Sequence, residues 1–257
     1  MQNPNELEQG AGSASAGSAH QGVQDVTLLD AEREQRWNAL QLNEPVQQAQ
    51  IRIWTYEQGA VVLGRSQHRL ADTLPASPGM LPLVKRGAGG GAVLVGPWLL
   101  SASILMPLDD PRIATASIAD SYRWLGEAMV ATLAELGVAV RTVPPAEQIR
   151  APASLEWACF AGVAPWEIVH DDPHTGLSRK LVGFAQRRSR HGALLAVGVL
   201  MSPCPWRKLA EPLGQPPELA DELAASTVDL ATLCEEPVSS SRFVDTLLAR
   251  LQPIVRI

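Results

Sequence analysis

Lys180 opens the run Lys180-Leu181-Val182-Gly183-Phe184-Ala185-Gln186, in which a cation leads into apolar residues. A lysine drawn into such a run can polarise an acyl carbonyl, hold an oxyanion or, once its pKa falls, accept a proton. Cys159, in Trp157-Ala158-Cys159-Phe160, follows a Pro-rich loop. A loop thiol beside a cation can act as a thiolate nucleophile and carry a thioester. The third group is Lys85-Arg86-Gly87-Ala88-Gly89-Gly90-Gly91, two cations joined to a segment with glycine at four of its last five positions. Such a loop lets a carbonyl, carboxylate or phosphate lie against backbone N–H groups. It is neither a P-loop nor a dinucleotide fingerprint, because no Lys-Ser/Thr pair is present and a strand is expected after it.

Taken one at a time, each group has a plainer reading. The glycine run reads equally as a hairpin loop, Lys180 as an exposed strand-edge lysine and Cys159 as a small buried hydrophobe. Cys204 and Cys234 have weaker claims to chemistry. His170 and His174 have HxxxH spacing, but Pro173 and Gly176 argue against a helix there, so a solvated turn is expected. The tract Arg187-Arg188-Ser189-Arg190 is either a solvated hairpin or a docking site for an acidic partner.

The elements that must position these residues follow from hydrophobic periodicity. Asp30 to Leu40 is charge-rich, with Trp37 and Leu40 at i, i+3, and predicts an amphipathic helix. Ile51–Trp54, Ala60–Leu63 and Leu81–Val84 predict strands. Ala92–Val95 and Leu99–Met106 predict a hairpin around Gly96-Pro97. Tyr122, Leu125, Met129, Leu133 and Leu136 recur every three to four residues and predict a helix stopped by Gly137. A short strand at Val138–Val140 is expected next, then strands around Trp166–Val169 and Leu181–Gly183 flanking the polar turn Asp171–Ser178. Ala193–Met201 reads as a buried strand, Pro203–Pro217 as irregular, and Leu219–Leu223 and Arg242–Leu251 as helical.

A chain of 257 residues with 46% hydrophobic and 19% charged residues folds around a core rather than remaining disordered. The net charge of −6 gives nucleic acid or anionic lipid no overall attraction. No stretch approaches the roughly 18–20 apolar residues of a membrane span. Residues 1–22 are rich in Gly, Ser, Ala and Asn and lack both a cationic start and an apolar block, so they read as a disordered tail and not a signal peptide. Three widely spaced cysteines suit a reducing cytoplasm. Residues 23–257 are expected to form one α+β domain with an antiparallel or mixed sheet.

In order along the chain, these segments resemble the biotin/lipoate protein ligase superfamily. Ile53-Trp54 with Val61-Val62-Leu63-Gly64-Arg65-Ser66-Gln67 is similar to its N-terminal signature. Lys85–Val93 resembles its Arg-Arg-x-Ser/Thr-Gly-Gly-x-Ala-Val loop, and Lys180–Arg188 its Lys-hydrophobic-x-Gly-Ser-Ala-Gln segment. The resemblance covers roughly residues 25–250. It implies a single biotin/lipoate ligase-like domain with a mixed, largely antiparallel sheet flanked by helices. It also implies a catalytic Lys180 and substrate binding by Arg86, Gly89, Gly90, Gly91, Ala92, Gly183, Ala185 and Gln186.

Family members that pass the acyl chain through a cysteine carry it in a Cys-Phe loop before the lysine, and Cys159-Phe160 stands 21 residues before Lys180. The expected activity is therefore transfer of an octanoyl or lipoyl group, from an acyl carrier protein or a lipoylated carrier, to a lipoyl-domain lysine, with no cofactor. Lys85, Arg86 and the Arg187–Arg190 tract are its candidate docking charges. The chain's end at Ile257 reads as lacking the accessory domain of many ATP-using ligases. An ATP- and Mg-dependent lipoate–protein ligase is the alternative, and a non-catalytic acyl or carrier binder the second. The chain departs from the pattern at Ala88, where Ser or Thr is usual, at Val95, where many members have His, and at Phe184, where a small residue is usual. Its Asp171–Ser178 turn is also longer.

Overall fold

Two sheets share one apolar core, and the Cys159 and Lys180 segments meet where these sheets come together. The structure, a computed structural model, describes residues 27–28, 31–74, 79–114 and 116–255. The expected tail at 1–22 lies outside the described residues.

The strands are β1 (Thr27–Leu28), β2 (Gln50–Thr55), β3 (Ala60–Leu63), β4 (Leu83–Lys85), β5 (Val93–Val95), β6 (Leu99–Met106), β7 (Arg141–Thr142), β8 (Ile168–Asp171), β9 (Ser178–Ser189) and β10 (Gly192–Leu200). Seven form a sheet in the order β1-β2-β6-β10-β9-β8-β7, and three form a second in the order β4-β3-β5. Among the described strands, only the β1–β2 and β3–β4 pairs are parallel. The fold is thus α+β with a mixed, largely antiparallel sheet.

Strands β6 and β10 lie at the centre. All eight residues of β6 are buried, with small Ser101 and Ser103 among apolar neighbours, as happens when both faces of a sheet are covered. On the neighbouring strand β2, Trp54 is fully buried and donates its Nε1 to Ser103 Oγ at 2.9 Å, so burial leaves its donor satisfied. The helices over the sheet include Ala31–Gln41, Arg123–Glu135, Pro217–Ala225 and Ser240–Leu251. The Arg123–Glu135 helix buries Leu125, Met129 and Leu133 at the expected spacing, and Gly137 closes it at φ +82°.

Four expectations change. Val93–Val95 and Leu99–Met106 are successive strands but not a hairpin: the chain leaves the small sheet at Gly96-Pro97 and enters the large one. Alternation shows that a segment is extended, not which strand it pairs with. No strand forms at Val138–Val140, and the pairing comes later, at Arg141–Thr142. Pro203–Pro217 holds two short helical turns, Arg207–Ala210 and Glu211–Leu213. The first helix meets its expected face only in part: Trp37 packs on the core, but Leu40 is 56% exposed, and Ala31, Glu34 and Asn38 are buried.

Candidate active site

Lys180 reaches the site because β9 is bulged. Val169 stands opposite Lys180 but Ile168 opposite Val182, leaving Leu181 as an extra residue. Bulges re-aim side chains in this way. Here the bulge brings Lys180 to the side of Gly183, where an added Cβ would lie 3.4 Å from Lys180 Nζ. The Lys180 backbone is fixed separately: its N–H donates to Ser226 O and its carbonyl accepts from Val228.

The Lys180 side chain is fully buried. Its Nζ lies 2.6 Å from Glu167 Oε2 and donates to the carbonyls of Cys159 (3.1 Å) and Gly162 (2.9 Å). An ammonium has three donors, and these three partners use them all. Glu167 is equally well served. Its Oε1 accepts from Phe184 N at 2.7 Å and its Oε2 from Ala164 N at 2.6 Å. A single carboxylate therefore joins β9, the start of β8 and the Cys159–Ala164 loop. The preceding Trp166 has φ +69°, an uncommon conformation for a bulky residue that persists only where its surroundings impose it. Its N–H donates to Val143 O, and Gly126 leaves room for its carbonyl, which would lie 2.5 Å from a Cβ there.

The glycine loop is built around Arg86. Its side chain is buried, and one terminal nitrogen donates to the carbonyls of both Gly89 and Gly91 at 2.8 Å. Among the described residues its Nε has no partner. Gly90 takes φ +87°, and a Cβ there would sit 3.6 Å from Cys159 Sγ. Gly91 must lack a Cβ because one would lie 2.7 Å from Trp157 O. Backbone bonds from Ala92 N to Trp157 O and from Cys159 N to Ala92 O then fasten the two loops together. Gln67 braces the same place, donating to Trp157 O at 2.9 Å.

Cys159 stands in the shared wall of two cavities. One is a largely apolar cleft lined by Val62, Val95, Leu99, Phe160, Gly183 and Ala196 among others. Its floor is a patch of small side chains, with Gly183 and Ala185 on β9 paired across to Gly198 and Ala196 on β10. The other cavity is open and more polar, with Gln67, Gly90, Gly91, Arg150, Glu167 and Lys180 in its wall.

The expected substrate-binding residues divide between these places. Arg86, Gly183 and Ala185 line the apolar cleft, and Gly90 and Gly91 the open cavity. Gly89 and Ala92 line neither and contribute carbonyls to the loop's own bonds. Gln186 points away and donates to Ser121 Oγ at 3.2 Å. Ala88 and Val95 line the apolar cleft, and Phe184 borders both cavities while stacking on Tyr122 at 5.4 Å. Burial raises the Tyr122 phenol above its ordinary range, and the nearby Glu167 carboxylate adds to the effect. Cys204 packs in the core, its thiol pushed up by burial, and takes no part in the site. Lys85 pairs with Asp72 at 2.7 Å, and the Arg187 guanidinium lies against Gly87. Among the described residues no group of three His, Cys, Asp or Glu could hold a metal ion.

Sequence reasoning missed Glu167, whose signal was an acidic residue set directly before the apolar pair Ile168-Val169. It also missed Glu34 and Asn38, which share a helix face at i, i+4 with Ala31 and line the apolar cleft. Tyr56 donates to Glu34 Oε2 at 2.8 Å. Burial raises the Glu34 carboxyl, with hydrogen bonds from Tyr56, Gln35 and Asn38 opposing it, and raises Tyr56 well above its usual value.

The domain is α+β, with the glycine and cysteine loops meeting at the apolar cleft and the buried lysine in the wall of the adjoining open cavity, the class of lipoate ligase folds. The lipoyl protein ligase A/B catalytic domain matches residues 32–252, and the chain belongs to that family. It is 30% identical over 187 residues to the octanoyltransferase LipM of Kyrpidia tusciae, a match covering 66% of this chain and 64% of that protein. The match thus spans under two thirds of this relative's length. A lipoate-protein ligase A solved with ATP superposes with a TM-score of 0.63 at 17% identity, over 88% of this chain and 83% of that one. A bi-partite lipoate protein ligase from Thermoplasma acidophilum, described together with its E2 lipoyl domain, gives 0.58 at 17% identity, over 88% and 81%. At these identities the likeness concerns the fold.

Proposed function

We propose that the protein transfers a medium-length acyl group, octanoyl or lipoyl, to a lysine of a lipoyl carrier domain through a thioester on Cys159. The carrying observation is the place of Cys159, in the wall common to an apolar cleft that fits an acyl chain and an open cavity that admits a lysine. The Cys159 thiolate adds to the carbonyl carbon of the donor thioester. The donor's C–S bond breaks, and its thiol leaves with the proton that Cys159 lost. The acceptor amine then adds to the same carbon, Cys159 is expelled as thiolate, and the nitrogen releases its extra proton as the amide forms. Lys180, its charge fixed by Glu167, holds the Cys159 and Gly162 carbonyls and places positive charge beside the tetrahedral oxyanion. The unpartnered Arg86 Nε supplies a further donor. Each such interaction is worth about 3–4 kcal/mol of barrier. The octanoyltransferase relative and the lipoyl domain described with the Thermoplasma ligase support this donor and acceptor class.

An ATP-dependent ligase is the second reading, favoured by the polar wall of the open cavity, where Gln67, Gln148 and Arg150 can meet a nucleotide. Intact-protein mass spectrometry after incubation with octanoyl-carrier protein, without ATP, tests the first. A single octanoyl adduct, released by hydroxylamine and absent in Cys159→Ala, is expected. A Cys159→Ala protein that retained full transfer would refute the thioester route, and activity only with ATP and free lipoate would place the protein with the ligases.

A further inference from the structure

The loop from Cys159 to Ala164 carries the thiol, and one carboxylate gathers its inward backbone groups. Lys180 Nζ donates to the carbonyls of Cys159 and Gly162, and Glu167 Oε2 faces both Lys180 Nζ and the Ala164 N–H, each at 2.6 Å. Ala164 is tied twice, because its carbonyl accepts from Glu167 N at 3.2 Å. The other carboxylate oxygen accepts from Phe184 N on β9, so the loop takes its position from the sheet. Glu167 is anchored in turn by its own carbonyl, which accepts from Val143 N at 3.1 Å. Donors on both sides need an acceptor on both sides, which a carboxylate has and an amide of the same shape lacks. Stability does not account for the arrangement, since well-packed apolar side chains hold a fold as well as a buried ion pair or better. What the pair adds to packing is direction, because each of its bonds fixes a particular loop atom.

Resting on the acyl-transfer reading, we propose that Glu167 is a positioning residue of the reaction: it sets the Cys159–Ala164 loop and the Lys180 side chain so that the thiol stays in the wall common to the two cavities. Glu167 acts through Lys180, which holds the carbonyl of the nucleophile's own residue, and through Ala164 at the far end of the loop. Cys159 N donates to Ala92 O, so the nucleophile is clamped through both of its backbone groups. Releasing the carbonyl side lets the residue turn about the remaining bond, and a misplacement of about 1 Å costs on the order of a hundredfold in rate. The other titratable groups around the pair are Cys159 on the loop, Arg150 and Glu156 in the wall of the open cavity, and Tyr122, which stacks on Phe184. Among the described residues none of their side chains bonds to Lys180 or Glu167.

The test compares wild type with Glu167→Gln and Glu167→Asp below their melting temperatures, following kcat and donor KM for transfer from octanoyl-carrier protein to a lipoyl domain. Glu167→Gln should lower kcat on the order of a hundredfold with donor KM unchanged. Its deficit relative to wild type should deepen as pH rises, because an ammonium buried without a counter-charge gives up its proton more readily. Glu167→Asp keeps the charge but falls one methylene short, so it should recover part of kcat and show a deficit that does not vary with pH. Wild-type kcat in Glu167→Gln, or losses in both variants that are shared with KM and indifferent to pH, would make Glu167 a structural residue only and overturn the proposal. If Glu167→Gln does not fold, Glu167→Asp decides: reduced kcat at unchanged KM supports the role, and wild-type kcat overturns it. Wild type that acquires no octanoyl adduct removes the transfer reading and the proposal with it, whereas wild-type loading with equal turnover by Glu167→Gln removes the proposal alone.

Discussion

Lys180 Nζ lies 2.6 Å from Glu167 Oε2, with the two side chains 1% and 2% exposed. A pair so enclosed is expensive to break from one side, because the surviving charge stays buried. Glu167→Ala and Lys180→Met should each lower unfolding free energy by about 3–5 kcal/mol, read from urea denaturation. The double variant Lys180→Met/Glu167→Leu should recover part of that loss while forming no acyl adduct. Single variants within about 1 kcal/mol of wild type would show that the pair is not sealed as described.

The loops that hold Cys159 make a sharp contrast between two glycines. A Cβ on Gly64 would lie 1.8 Å from Gly90 O, whereas one on Gly89 meets nothing within 4 Å. Gly64→Ala must push the glycine loop aside, at about 1–3 kcal/mol of stability, and should slow thioester formation. Gly89→Ala should stay within about 0.5 kcal/mol of wild type. Thermal unfolding and adduct formation measured on both proteins decide, and equal effects would contradict this packing.

Burial raises the Glu34 carboxyl above its ordinary value of 4.5, so the folded protein holds that proton more tightly than the unfolded chain. The stabilisation is fully present below the ordinary value and is lost as pH rises through the raised one. Melting temperatures from acid pH to neutrality should therefore show wild type losing ground to Glu34→Gln as pH increases. A constant difference between the two proteins would mean that Glu34 titrates alike in both states.

Phe184 is 7% exposed, stacks on Tyr122 and borders both cavities. Phe184→Ala should reduce stability by about 3–5 kcal/mol and widen the passage beside Cys159. Longer acyl donors should then load relative to octanoyl, as a chain-length series monitored by mass spectrometry would reveal. An unchanged length profile would place the length limit elsewhere in the cleft.

Three ordered motifs were enough to identify the family and its fold, because each is a local requirement: glycines where backbones approach, a cysteine on a loop, a lysine before an apolar strand. Periodicity likewise located the Arg123–Glu135 helix and the buried strand β10. Polar residues whose partners lie far along the chain carried no comparable signal. Glu167 could not be tied to Lys180 because the bulge that brings them together is a feature of pairing between β8 and β9.

The first helix shows the same division. Its existence was written in its residues, and Trp37 packs on the core as expected, but Leu40 is exposed and the fully buried positions are Ala31, Glu34 and Asn38. Sequence alone determined which elements form and which reactive groups the protein carries, since both depend on neighbours within a few residues. Tertiary structure decided that Cys159 would stand between two cavities and that the Lys180 charge would be balanced by Glu167. Those outcomes depend on desolvation, which is set only when distant segments close over a group and remove it from water.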